Sequence, residues 1–171
     1  MITELTRMWL TRSTKPFLFK NEYDQELPFS DCDGLGLYVH IPFCRSICSF
    51  CPYCKTLYSE EACSRYIDAL IREIHLAGSQ APGKKTVTSL YFGGGTPALA
   101  ADRIKEIIDA IQEHFIITQG IGIELHPENV TPRTLHVLKE AGVTKLSIGI
   151  QSFQEKFQKL LGRTGADVDS L

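Results

Sequence analysis

No stretch of this sequence reaches the roughly 18 consecutive apolar residues that a membrane-crossing helix needs, so no membrane span is expected. An excess of one charge is also missing: 18 lysines and arginines face 20 acidic residues, for a net charge of −2. That balance argues against a general nucleic-acid binder or a membrane-surface protein. Residues 1–10 carry Glu4 and Arg7 among their apolar side chains, so they lack the apolar block of a secretory leader. A cytoplasmic protein is expected. Low-complexity segments are absent, and the only repetition is an alternation of strand and helix patterns.

Cysteine, by contrast, is plentiful. Cys32, Cys44, Cys48, Cys51, Cys54 and Cys63 make six in 171 residues, a length that suits one ordinary domain with one core. In a cytoplasmic chain, clustered cysteines point to a metal or redox site rather than to a disulfide framework. Four of the six fall between Cys44 and Cys54, and loops that short violate disulfide geometry. Cys32 and Cys63 stand apart and read as small, partly buried residues.

Residues 1–33 show no sustained period and are expected to form an N-terminal extension. From 34 to 171 the pattern predicts βα units in series. Strands are expected at 35–41, 86–92, 120–125 and 145–150. Helices are expected at 59–77, 101–115 and 132–141, the last capped by Thr131, opened by Pro132 and ended by Gly142. Phe153, Phe157, Leu160 and Leu161 mark a final helix. Four βα units imply an α/β fold with a parallel sheet and right-handed crossovers.

Strand parity then sorts the side chains. Leu37, Val39 and Ile41 share one face, as do Ile121, Ile123 and Leu125, and Leu146, Ile148 and Ile150. These aliphatic faces are expected to pack on the helices. Tyr38, Glu124 and Gln151 belong to the opposite face and are expected to converge near the C-terminal ends of their strands. Parallel α/β folds place their active sites at those ends.

The cysteine run begins where the first strand ends. Cys44, Cys48 and Cys51 are spaced Cys-x3-Cys-x2-Cys, which lets three thiolates reach three irons of one [4Fe–4S] cluster. The fourth iron is then open to chelate S-adenosylmethionine, whose reductive cleavage yields a 5′-deoxyadenosyl radical. Three other readings stand beside this one. A structural zinc site would want a second cysteine pair after a longer loop. An electron-transfer cluster would take Cys54 as its fourth ligand, in an order unlike the bacterial ferredoxin motif. The third reading is a group of metal-free thiols.

The residues from Tyr38 through His40-Ile41-Pro42-Phe43-Cys44 to Cys51 resemble the radical S-adenosylmethionine enzymes of the oxygen-independent coproporphyrinogen III oxidase family, which includes haem-chaperone-like and haem-degrading relatives. The resemblance continues through Tyr91-Phe92-Gly93-Gly94-Gly95-Thr96-Pro97, Glu124, the run from Leu146 to Phe153, and Leu161-Gly162-Arg163. It implies a partial (β/α) barrel of the radical S-adenosylmethionine type. It also implies that Tyr38 lies beside the methionine moiety and that the backbone at Phe50 meets the adenine. Gly94, Gly95 and Thr96 would bind the amino-acid end, Glu124 would contact the cofactor, and Gln151 and Arg163 would meet its ribose and carboxylate region.

The family further implies a small-molecule substrate of the tetrapyrrole type and an electron donor such as flavodoxin or ferredoxin. Gly93-Gly94-Gly95 follows a strand and lacks the Gly-Lys-Ser/Thr ending of a phosphate loop. The oxidases carry a further cysteine two residues after the third cluster cysteine; Tyr53 stands there, with Cys54 one place later. Thr164-Gly165 follow Arg163, where a histidine is common. The family's barrel has six units, so a truncated reading frame or a fragment is expected. His114, His126 and His136 offer no second metal site along the sequence. The functions left open are a porphyrin-directed oxidoreductase, a haem chaperone or haem-remodelling relative, and an inactive fragment.

Overall fold

The computed structural model describes residues 32–162, together with Thr6, Trp9, Leu27 and Phe29. Most of the expected N-terminal extension, and Arg163, lie outside the described residues. The apolar alternation of 34–41 produces β1 (Gly34–Ile41). It is followed by two short strands, β2 (Phe43–Cys44) and β3 (Thr56–Leu57), and then by helix α1 (Glu60–Gly78). Next come β4 (Lys85–Gly94), α2 (Ala101–His114), β5 (Phe115–Ile117) and β6 (Ile121–Leu125). The described chain ends with α3 (Pro132–Glu140), β7 (Val143–Ile148) and α4 (Glu155–Leu160).

The main sheet runs β1-β4-β6-β7, with every pair parallel. Successive long strands are therefore neighbours, added in one direction. A doubly wound sheet reverses its order at a switch point; this one does not, and so forms the arc of a barrel, as the sequence predicts. Among the described residues, β7 has a partner on one side only.

The capping residues act as expected. Ser59 Oγ accepts from the Ala62 N–H at 3.2 Å and starts α1. Thr131 Oγ1 accepts from the Thr134 N–H at 3.1 Å before Pro132. Gly142, with φ of 91°, ends α3 in the left-handed region that glycine enters freely. The helices bury an isoleucine stripe, Ile67 on α1 and Ile104, Ile107 and Ile111 on α2, against Ile41, Leu90, Phe92 and Ile123 of the sheet. A fully buried aliphatic side chain of this kind contributes about 1.5–3 kcal/mol through the hydrophobic effect.

Three elements differ from the sequence expectation. Helix α2 stops at His114, and Phe115 starts β5, which pairs with the beginning of β4 from Lys85↔Phe115 to Val87↔Ile117. Strand β6 takes over the same edge of β4 from Leu90↔Ile121 onward. The β2–β3 pair joins Phe43 to Thr56 and Cys44 to Leu57. Finally, β7 spans Val143–Ile148, and Leu146 is 46% exposed rather than packed on the helices. It stands on the last strand of the described sheet, where one flank has no neighbour.

Candidate functional site

The chain leaves β1 at Ile41 and enters the cysteine loop. The β2–β3 ladder clasps that loop at its base: the Thr56 N–H donates to Pro42 O at 2.8 Å and the Tyr58 N–H to Cys44 O at 2.9 Å. Within it, the Cys51 N–H donates to Cys48 O at 3.3 Å. Lys55 Nζ donates to Cys51 O at 2.5 Å, and His40 Nε2 lies 3.0 Å from Cys54 O. These bonds fix the loop from its backbone and leave the thiols of Cys44, Cys48 and Cys51 for other use. All three cysteines are half-buried, whereas Cys54 is exposed.

The glycine segment at the end of β4 sits directly on the loop's entry. The Gly95 N–H donates to Ile41 O at 2.9 Å and the Thr96 N–H to Phe43 O at 2.7 Å. A Cβ on Gly95 would meet Phe43 O at 2.5 Å and the Pro42 carbonyl carbon at 2.8 Å, so only glycine allows these backbones to meet. Gly94 has φ of 125°, and a Cβ there would lie 2.8 Å from Ile41 O. Thr96 is buried, with its hydroxyl 4.0 Å from Cys44 Sγ. Burial pushes the Cys44 thiol up, the Thr96 hydroxyl opposes that, and the Cys48 and Cys51 thiols add to it.

Glu124 is the polar member of an otherwise apolar β6 and turns to the face opposite the helices. Its Oε1 accepts from the Tyr91 hydroxyl and its Oε2 from the Gly94 N–H, each at 3.3 Å. Among the described residues no cationic side chain pairs with it, so the partners it has are neutral donors at long range. A carboxylate in such a place has room for a charged donor. Beyond β7 the chain turns back toward the site. The Gly149 N–H donates to Leu125 O at 3.0 Å, and Gln151 takes φ of 70°, unusual for a residue with a Cβ.

These segments enclose a cavity of about 380 Å³ at the C-terminal ends of the strands. Its walls include Cys44, Cys48, Cys51, Phe50, Gly94, Gly95, Thr96, Glu124 and Gln151. Thus nine of the eleven residues singled out from sequence border one space, while Arg163 lies outside the described residues. Tyr38 differs: the residue is 59% exposed and its ring stacks on Tyr91, with centroids 6.4 Å apart and planes at 17°. Tyr91, one strand nearer, stands between Tyr38 and Glu124. Burial, then the nearby Glu124 carboxylate, hold the Tyr38 phenol above its ordinary pKa.

Sequence reasoning missed Tyr91, Lys55, Ser147, Asn129 and Glu128. Of these Tyr91 had a legible signal, since it shares strand parity with Gly93 and precedes the glycine run by two residues. His126 caps the short turn Pro127–Asn129, accepting from the Glu128 N–H at 3.3 Å, and also lines the cavity.

A single tetrahedral zinc would hold its thiolates ~3.8 Å apart. Among the described residues, the sulfurs of Cys44, Cys48 and Cys51 do not all lie within 4.8 Å of one another.

The comparisons with known proteins identify the family and the fold. The sequence profile of the Radical SAM superfamily matches residues 38–170. The chain is 39% identical over 132 residues to an anaerobilin synthase of Escherichia coli O157:H7, covering 75% of this chain and 30% of that protein. It is 36% identical over 136 residues to an oxygen-independent coproporphyrinogen III oxidase of Paracoccus denitrificans, covering 76% and 30%. With the heme chaperone HemW of Bacillus subtilis the identity is 32% over 138 residues, covering 77% and 36%. Among solved structures, coproporphyrinogen III oxidase (HemN) from Escherichia coli, described as a radical SAM enzyme, superposes with a TM-score of 0.71 at 33% identity. That match covers 78% of this chain and 31% of the other. The chain spans about a third of the length of the curated relatives it matches.

Proposed function

The chain belongs to the radical SAM superfamily, and from that premise we propose that Cys44, Cys48 and Cys51 hold a [4Fe–4S] cluster and that the adjoining cavity binds S-adenosylmethionine. The observation that carries this reading is convergence: three cysteines, a glycine segment and an inward carboxylate, from three separate strands, border one cavity. When bound, the cluster would supply the one electron that cleaves the sulfonium bond of S-adenosylmethionine into methionine and a 5′-deoxyadenosyl radical. The protein's own part is to bind and orient. Glu124 offers an acceptor to the cofactor's ammonium group, and the polypeptide around Gly94, Gly95 and Thr96 offers close backbone approach. Phe50 and Gln151 border the cavity where the adenine and ribose would lie, with Arg163 as a further contact. Tyr38 acts through Tyr91, which steadies the Glu124 carboxylate.

The substrate class this reading favours is a tetrapyrrole, with a flavodoxin or ferredoxin as electron donor and the cytoplasm as its place. The reaction class is that of an oxidoreductase related to coproporphyrinogen III oxidase. A second reading, a haem chaperone or haem-remodelling protein that keeps the cluster, draws on one observation. Tyr53, which lines the cavity, stands where the oxidases carry a cysteine, and Cys54 follows it, exposed.

Anaerobic reconstitution with iron and sulfide tests the first step. Wild type and Cys54→Ala should form the cluster, and Cys44→Ala, Cys48→Ala and Cys51→Ala should not. Loss of the cluster in Cys54→Ala to the same extent would overturn the three-ligand assignment. Reduced, cluster-loaded protein given S-adenosylmethionine should release 5′-deoxyadenosine; a protein that binds haem and releases none is a chaperone.

A further inference from the structure

At the far end of the sheet from the cysteine loop, two helix C-termini bring three ligand-type side chains together. His75 lies in the last turn of α1, and Glu113 and His114 close α2. His75 Nδ1 is 3.0 Å from His114 Nε2 and 3.7 Å from Glu113 Oε2. One ligand atom from each residue lies within 4.8 Å of the other two. A tetrahedral zinc with bonds of about 2.0–2.1 Å separates its nitrogen and oxygen ligands by ~3.3 Å. The two observed distances bracket that spacing.

The local fold favours the arrangement. A Cβ on Gly78 would fall on the ring of His114, so the missing side chain is what lets α1 receive that ring. His114 also rests edge-on against the buried Phe115, with centroids 6.4 Å apart. Both helices point their C-terminal carbonyl ends here, each with a partial negative charge, and Glu113 adds a full one. The two rings share a hydrogen bond between His75 Nδ1 and His114 Nε2, and a cation there would replace that shared hydrogen, each facing nitrogen then turning a lone pair to the ion. The side chains of His75 and Glu113 are 40% and 65% exposed, so an ion and a water ligand have access from solvent.

We propose that His75, Glu113 and His114 form a second metal site, independent of the cluster, for a divalent transition cation of the zinc type with water completing its shell. Imidazole and carboxylate ligands suit zinc, cobalt, nickel and copper rather than magnesium or calcium. Read along the sequence, His114 has no metal partner; 39 residues separate it from His75, and only the packing of α1 on α2 joins them. The ion would pin the ends of the two helices together and stabilise the folded chain by mass action.

The test uses cluster-loaded protein, freed of loose metal, titrated anaerobically with Co²⁺ and then Zn²⁺. One equivalent of Co²⁺ should give weak visible d–d bands without a thiolate charge-transfer band, and Zn²⁺ should displace it. Zinc at a hundredfold above its Kd should raise Tm by roughly 5–10 °C. His75→Ala and His114→Gln should remove the cobalt bands and the Tm shift. Gly78→Ala should weaken binding at least tenfold with all three ligands kept. A thiolate band, binding unchanged in His75→Ala, or no binding below millimolar metal would overturn the proposal, leaving a hydrogen-bonded histidine pair.

Discussion

Gly95→Ala probes the meeting of the glycine segment with the cysteine loop. The added Cβ would meet Phe43 O at 2.5 Å and two backbone carbonyl carbons at 2.8 Å. These atoms belong to β2 and the residue before it, so no side chain is free to swing aside. Relief requires the two backbones to separate, which stretches the Gly95 N–H bond to Ile41 O and the Thr96 N–H bond to Phe43 O. Two such bonds are worth about 0.5–1.5 kcal/mol each, and overpacking against rigid neighbours costs about 1–3 kcal/mol. The expected loss is ~3 kcal/mol, a large share of a typical domain stability of about 5–15 kcal/mol. For a chain of this size that lowers Tm by roughly 6–12 °C.

Gly36→Ala is the control, because a Cβ there meets nothing within 4 Å. Urea denaturation followed by circular dichroism reads both variants. Since Cys44 leaves β2 beside the strained contact, Gly95→Ala should also form less cluster. If Gly95→Ala unfolds within ~0.5 kcal/mol of wild type, the ordinary range of an unremarkable surface change, the close approach does not hold the site together.

Glu124→Gln should fold normally and lose at least tenfold in S-adenosylmethionine affinity, measured by equilibrium dialysis of cluster-loaded protein; unchanged affinity would remove Glu124 from the site. Ile67→Ala, at a position with no exposure, should cost about 2–5 kcal/mol in denaturant unfolding, and Ser59→Ala about 1 kcal/mol through loss of the α1 cap. For pH, burial pushes the Cys63 thiol up, with Arg103 opposing, so the folded state keeps a proton that the unfolded chain gives up earlier. That contribution is full below the ordinary thiol pKa of 9.0 and is lost as pH rises through the folded value. Unfolding free energy of cluster-free protein should therefore fall above pH ~9, and Cys63→Ala should flatten the decline; a slope identical in the variant would refute it.

The strand–helix alternation was legible because the two long helices, α1 and α2, repeat isoleucine at a period of 3.6, and because α1 and α3 are bounded by residues with a specific local bond or backbone conformation, Ser59, Thr131 and Gly142. Glu124 was legible for a related reason, since parity alone turns it away from Ile123 and Leu125. Strand β5 was hidden because Phe115 extends the apolar stripe of α2, and three residues are too few to show a period of two. The β2–β3 ladder was hidden because its two pairs carry no pattern; Thr56 and Leu57 are both exposed. Parity placed Tyr38 on the right face but could not show that Tyr91, in register beside it, occupies the space next to Glu124.

The clasp formed by β2 and β3 has a kinetic consequence. Residues 45–55 form a loop whose ends are tied by backbone bonds that need no iron. Closing a free loop of that length costs ~2 kcal/mol in chain entropy, and here the scaffold has met that cost before any metal arrives. If the loop takes the proposed cluster, folding and cluster loading would be separable in time: the clasp needs no metal, and iron and sulfide would then enter a loop whose ends are already tied and whose Cys54 is exposed. An assembly factor acting on this chain would recognise a folded acceptor rather than a nascent one.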